Sequence, residues 1–124
     1  MMGGKILVVD DEENIVELIT VNLENAGYTV ISAFDGESGL KKALSEMPAL
    51  VILDVRMPGM DGFSVCKGIK DNPKTKNIPV IFLTAATQKK DCENAKVSDC
   101  DYFFSKPFDP AELVKIVDFI RKGD

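Results

Sequence analysis

The chain has 124 residues, 45% of them hydrophobic and 28% charged, with a formal net charge of -5 and no histidine. That length suits one domain whose core needs no covalent staples, and an acidic surface is a poor match to a nucleic-acid phosphate backbone. Without histidine, Ser-His-Asp and Cys-His mechanisms and histidine-ligated metals are excluded, which leaves carboxylates, hydroxyls and amines to do any chemistry.

The first residues, MMGGKILVVDDEE, contain no apolar segment of signal-peptide length, and no run approaches the ~20 residues that span a bilayer. The expectation is a cytoplasmic protein with neither a membrane nor a nucleic-acid partner. KILVVD (5–10) reads as a nearly continuous apolar strand. Glu12 to Ala26 places Ile15, Ile19, Leu23 and Ala26 on one helical stripe, closed by Gly27. YTVIS (28–32) is a second, more alternating strand. Asp35 can N-cap a helix carrying Leu40, Ala43, Leu44 and Met47 at helical spacing, which Pro48 stops.

ALVILD (49–54) is a third strand, followed after a Met57-Pro58-Gly59 turn by a helix from about Asp61 with Phe63, Cys66 and Ile69 inward. IPVIFLT (78–84) is the fourth strand. The mostly polar segment from Ala85 to Ser98 reads as a loosely held helix with Cys92, Ala95 and Val97 as its core contacts. DYFFS (101–105) is the fifth strand, and Asp109-Pro110 opens a last helix with Leu113, Val117 and Ile120 on its inner face. Five βα units with strands apolar on both faces predict a doubly wound, five-stranded parallel sheet of order 2-1-3-4-5 filling residues 1–124 as one domain.

In such a sheet, ligands bind beyond the carboxyl ends of the strands. There the first strand delivers Asp10 and Asp11, the third Asp54, the fourth Thr84, and Lys106 stands just past the fifth. The second strand delivers only Ser32 and Ala33. Three carboxylates brought together raise one another's pKa, and a hard divalent cation relieves the repulsion. Their oxygens, a backbone carbonyl and retained waters suit Mg²⁺, with Mn²⁺ as an alternative. A carboxylate beside that cation, faced by a lysine and a hydroxyl, can attack phosphorus and become an aspartyl-phosphate.

The segments ILVVDDE, LDVRMPGMDG, PVIFLTA and FFSKPF, in this order and at these separations, resemble the receiver domain of two-component response regulators over essentially the whole chain. The resemblance implies a flavodoxin-like (βα)5 fold. It implies Asp54 as phosphoacceptor, supplied by a phosphohistidine on a sensor histidine kinase or a histidine phosphotransfer protein. It further implies that Asp11, Asp54 and the Arg56 backbone carbonyl bind Mg²⁺ directly, that Asp10 acts mainly through water, and that Thr84 and Lys106 hold the phosphoryl oxygens. Phe103 stands at the family's switch aromatic, which turns inward when Thr84 moves; the signal would then appear on the surface of the 85–98 helix, the fifth strand and the last helix and reach a downstream effector. The family often has tyrosine at 103, so a contact made through its hydroxyl is missing here. Arg56 and Ala86 occupy positions that influence the lifetime of the phosphoryl group. A receiver of this kind catalyses only its own phosphorylation and dephosphorylation.

Blander readings stand beside these. Asp10 or Asp11 can simply cap the first helix, Phe103 can be core filling, Pro107 is read as structural with a cis bond before it as one option, and Cys66, Cys92 and Cys100 lack any metal-ligand spacing and read as reduced thiols. A flavodoxin-type electron carrier would need a Gly/Ser/Thr-rich phosphate loop where this chain has Asp10-Asp11-Glu12-Glu13. A metal-dependent phosphatase of the aspartyl-phosphate type would carry a second aspartate where Arg56 stands.

Overall fold

The computed structural model describes residues 4–85 and 102–122. The helix expected over 85–98, with Cys92, Ala95 and Val97, and also Ala86 and Cys100, lie outside the described residues. In chain order the elements are β1 (Lys5–Val9), α1 (Glu13–Asn25), β2 (Thr29–Ala33), α2 (Gly36–Glu46), β3 (Leu50–Asp54), α3 (Gly62–Asp71), β4 (Val80–Ala85), β5 (Tyr102–Lys106) and a last helix, Pro110–Lys122. All strand pairs are parallel, in the order β2-β1-β3-β4-β5, as the alternation of strand-like and helix-like segments requires. Among the described residues, no helix is long and apolar enough to cross a membrane.

The two apolar faces of the strands form two cores. Leu7, Val9, Val51, Leu53 and Phe82 point toward α2 and α3, where they meet Ala43, Val65, Cys66 and Ile69. Ile6, Val8, Leu50, Ile52, Ile81 and Leu83 point the other way, onto Val16, Ile19 and Leu23 of α1 and onto Leu113, Val117 and Ile120 of the last helix. Alternation along each strand therefore gives every central residue a core to enter, which is why these strands carry no polar face.

The helix stripes differ from the expectation in detail. Along α1 the buried line is Val16, Ile19 and Leu23, with Ile15 only half-buried. In α2, Leu44 and Met47 are exposed, and the buried line runs through Gly36, Gly39 and Ala43. The cause is close approach: a Cβ on Gly39 would lie 2.8 Å from the Val9 side chain, so the glycine face is the one that can be pressed onto the sheet. Met47 has left the helical spacing altogether, taking the left-handed C-cap conformation (φ 49°). In α3, Val65 and Cys66 are buried and Phe63 half-buried. Asp35 caps its helix as expected, and Asp61 caps α3, accepting from the Ser38 and Ser64 backbone N–H groups at 2.8 and 2.9 Å.

Candidate functional site

Strand register brings the chemistry-bearing residues to one level. Val9 pairs with Leu53, so Asp10 begins the loop beside the end of β3; Asp54 pairs with Leu83, so Thr84 is one step further along β4. Lys106 pairs with Ala85 and is the last residue of β5 itself, one position earlier in the architecture than the sequence implied. The result is that Asp10, Asp11 and Asp54 each offer a carboxylate oxygen within 4.8 Å of the others. Asp10 and Thr84 are fully buried, Asp54 is 4% exposed, and Asp11 faces solvent.

Lys106 is the cation of this cluster. Its Nζ lies 3.1 Å from Asp10 Oδ2, 3.4 Å from Asp54 Oδ1 and 3.6 Å from Glu12 Oε1. Burial alone would lower its pKa, but the charges of Asp10 and Asp54 outweigh that and hold it above the ordinary lysine range. Desolvation raises the Asp54 pKa to about 6; the Asp10 charge adds to the rise, while Lys106 and the Arg56 backbone N–H hold it back. Asp10 is likewise raised, chiefly by burial, against the Glu12 N–H and Lys106. Asp54 is thus ionised for the most part at neutral pH, yet held there under strain that any added positive charge would relieve.

The backbone fixes this arrangement on both sides. Asp10 Oδ1 accepts the Glu12 N–H at 2.9 Å, which shapes the turn into α1. The N-cap of α1 is Glu12, without a side-chain capping bond, so neither Asp10 nor Asp11 serves as that cap. Beyond β3, the Val55 N–H donates to Leu83 O and the Gly62 N–H to Val55 O at 2.8 Å, closing the Met57-Pro58-Gly59 turn back onto the strand end. Gly62 is required there, since a Cβ would fall 2.2 Å from Asp54 O.

Arg56 is exposed and, with Val55, Met57, Asp61 and Phe63, helps to line a cavity of about 580 Å³. On the other flank, Glu12, Ile15, Leu18, Lys106, Pro107 and Phe108 surround a more apolar groove of about 420 Å³. The Lys106–Pro107 bond is cis. Phe103 is 40% exposed and stacks on Phe82 with ring centroids 5.5 Å apart; Phe82 in turn meets Phe63 at 5.3 Å. Phe103 is therefore not core filling. Cys66 is buried in α3, in the core that also holds Phe82.

Every residue singled out at the strand ends lies at this edge of the sheet, and the set contains the oxygen donors that a hard divalent cation takes. Sequence reasoning passed over Glu12 as an ordinary helix start. Its adjacency to Asp11 was visible, but its reach to Lys106, near the far end of the chain, follows only from the fold, in which the Lys106 side chain at the end of edge strand β5 extends back past β4 and β3 to the loop after β1.

Residues 6–118 match the sequence profile of the response regulator receiver domain. Over 124 residues the chain is 46% identical to the alkaline phosphatase synthesis transcriptional regulatory protein PhoP of Bacillus subtilis, covering 99% of this chain and 51% of PhoP. It is 42% identical over 112 residues to the response regulator PleD of Caulobacter vibrioides, covering 90% of this chain and 25% of PleD. The chain thus spans about half the length of the first relative and a quarter of the second. Among solved structures, the chemotaxis response regulator CheY4 of Vibrio cholerae superposes with a TM-score of 0.87 at 33% identity, covering 96% of this chain and 99% of that one. A matching profile over most of the length, this sheet order and these neighbours agree: the chain belongs to the response regulator receiver domain family.

Proposed function

We propose that this receiver takes a phosphoryl group onto Asp54 from a phosphohistidine on a sensor histidine kinase or histidine phosphotransfer protein. The observation that carries the reading is a nearly buried carboxylate with a pKa of about 6, 3.4 Å from an ammonium and grouped with two further carboxylates. Ionised Asp54 supplies the electron pair for the new O–P bond; the P–N bond of the donor breaks, and the imidazole leaves with the P–N bonding pair. Lys106 and Thr84 hold the phosphoryl oxygens, and the ammonium offsets the charge that builds on them.

Asp11, Asp54 and the Arg56 carbonyl are the residues we assign to a Mg²⁺ or Mn²⁺ ion, with Asp10 acting mainly through water. The ion, when bound, supplies charge neutralisation and a template for the transferring group. Loss of the Lys106 contact to Asp54 in favour of a phosphoryl oxygen, together with movement of Thr84, would free Phe103 to turn from its present half-exposed position. The output is a change of surface at β5, the last helix and the 85–98 segment, read by a downstream effector. On this reading the chain is a cytoplasmic signalling domain that catalyses only its own phosphorylation and dephosphorylation. Incubation with acetyl phosphate and Mg²⁺, followed by intact mass, tests it: the protein gains one phosphoryl group and the Asp54→Asn variant gains none. A variant that still gains it refutes the assignment.

A further inference from the structure

Lys106 is shared among three carboxylates, and only two of them belong to the buried pair. The third, Glu12, has a side chain 62% exposed against 17% for Lys106, and its Oε1 stands 3.6 Å from the ammonium on the solvent side. The main chain from which it extends is fixed: the Glu12 N–H is bonded to Asp10 Oδ1, and its carbonyl accepts the Ile15 and Val16 N–H groups that start α1. Glu12 also borders the groove formed with Ile15, Leu18, Pro107 and Phe108, so a negative charge stands where that groove meets the acceptor pocket. It caps nothing with its side chain.

We infer that Glu12 is a specificity-determining and positioning residue of the phosphoryl-transfer site: its carboxylate draws Lys106 outward and slows transfer to Asp54 from small phosphoryl donors in proportion to their negative charge. The inference rests on the function proposed above. With acetyl phosphate, the O–P bond to Asp54 forms as the P–O bond breaks and acetate departs with the pair; with phosphoramidate, the P–N bond breaks and ammonia departs with the pair, so both donors react without any further reagent. They differ in net charge, acetyl phosphate being close to a dianion at neutral pH and phosphoramidate carrying less.

Neutralising Glu12 lets Lys106 settle on the incoming phosphoryl group and removes the repulsion. The Glu12→Gln variant is therefore expected to accept from acetyl phosphate about three- to tenfold faster at low ionic strength, the effect of one unit charge several ångströms away through solvent. The gain with phosphoramidate is smaller. Near 1 M salt, where screening acts over about 3 Å, the difference between variant and wild type collapses. Glu12→Asp, which keeps the charge, retains the discrimination. Independently of activity, the Lys106 Nζ resonance of the metal-free protein shifts in Glu12→Gln, as recorded by lysine-selective NMR. An unchanged or slower rate with acetyl phosphate, an equal gain with both donors, or an unmoved Lys106 resonance overturns the inference. If wild type is phosphorylated at Asp54 and these results are negative, only the role of Glu12 falls; if Asp54→Asn is phosphorylated as readily as wild type, the functional reading falls first.

Discussion

Replacing Asp54 with asparagine removes a charge that folding brings into a nearly water-free position. Its pKa moves from 3.8 to about 6 on folding, mainly through burial and secondarily through the Asp10 charge. A carboxyl whose folded pKa lies above its unfolded one makes the folded state bind more protons, so stability falls as pH rises between the two values and stays lower above them. The shift of about two units corresponds to about 3 kcal/mol at pH 7, at 1.36 kcal/mol per unit, and to about 1 kcal/mol at pH 4.5. The amide that replaces the carboxylate has no charge to desolvate and can still accept the Arg56 N–H. The variant should therefore be more stable than wild type by about 2–3 kcal/mol at pH 7 in chelator, with the gap narrowing toward about 1 kcal/mol at pH 4.5. Urea unfolding followed by circular dichroism at the two pH values measures both gaps, with the m-value as a check that the same transition is compared. Millimolar Mg²⁺ should then stabilise wild type and close the gap from the other side, since a ligand of the folded state adds RT ln(1 + [L]/Kd). A variant no more stable than wild type at pH 7, or a gap that does not shrink in acid, would refute the claim that Asp54 is held under electrostatic strain.

Two further substitutions probe the surroundings. Lys106→Met leaves fully buried Asp10 and nearly buried Asp54 without their cation; it should cost about 3–5 kcal/mol at pH 7, with much of the loss recovered in urea titrations near pH 5, and slow acetyl phosphate transfer by about 10²-fold in a mass-spectrometric time course. Gly62→Ala puts a methyl group 2.2 Å from Asp54 O, which should destabilise the domain by about 1–3 kcal/mol and displace the acceptor enough to lower the phosphorylation rate even where the protein is fully folded by circular dichroism.

The site was legible because parallel strands of similar length end at one level: once the order 2-1-3-4-5 is inferred, the residue after each apolar run has its place in space, and Asp10, Asp54, Thr84 and Lys106 follow. Charge alone gave the rest, since carboxylates at buried strand ends need a partner. The buried face of α2 was not legible in the same way. Hydrophobic periodicity pointed to Leu40, Ala43, Leu44 and Met47; Ala43 is buried and Leu40 partly so, but Gly36 and Gly39 take the place of Leu44 and Met47, because absence of side chain, a property that no hydropathy pattern registers, decides how close a helix can approach Val9. Phe103 shows a related limit: an aromatic in an edge strand can be buried or exposed with equal ease, and only its stacking on Phe82 shows how much of the ring is covered. Glu12 escaped notice because its partner lies across the sheet and not along the helix that it begins.

Asp54 ends a strand that is flanked on both edges by β1 and β4 and sealed on both faces, while Lys106 ends β5, at the margin of the sheet. The two partners of one ion pair therefore belong to parts of the molecule with different opening free energies. Amide protons of Leu50–Asp54 should exchange with deuterium only when the whole domain unfolds, and those of Tyr102–Lys106 through smaller, more frequent openings. Asp54 is the fixed reference of the site and the Lys106 ammonium its adjustable member, so filling the pocket should slow exchange in β5 and leave β3 as it was.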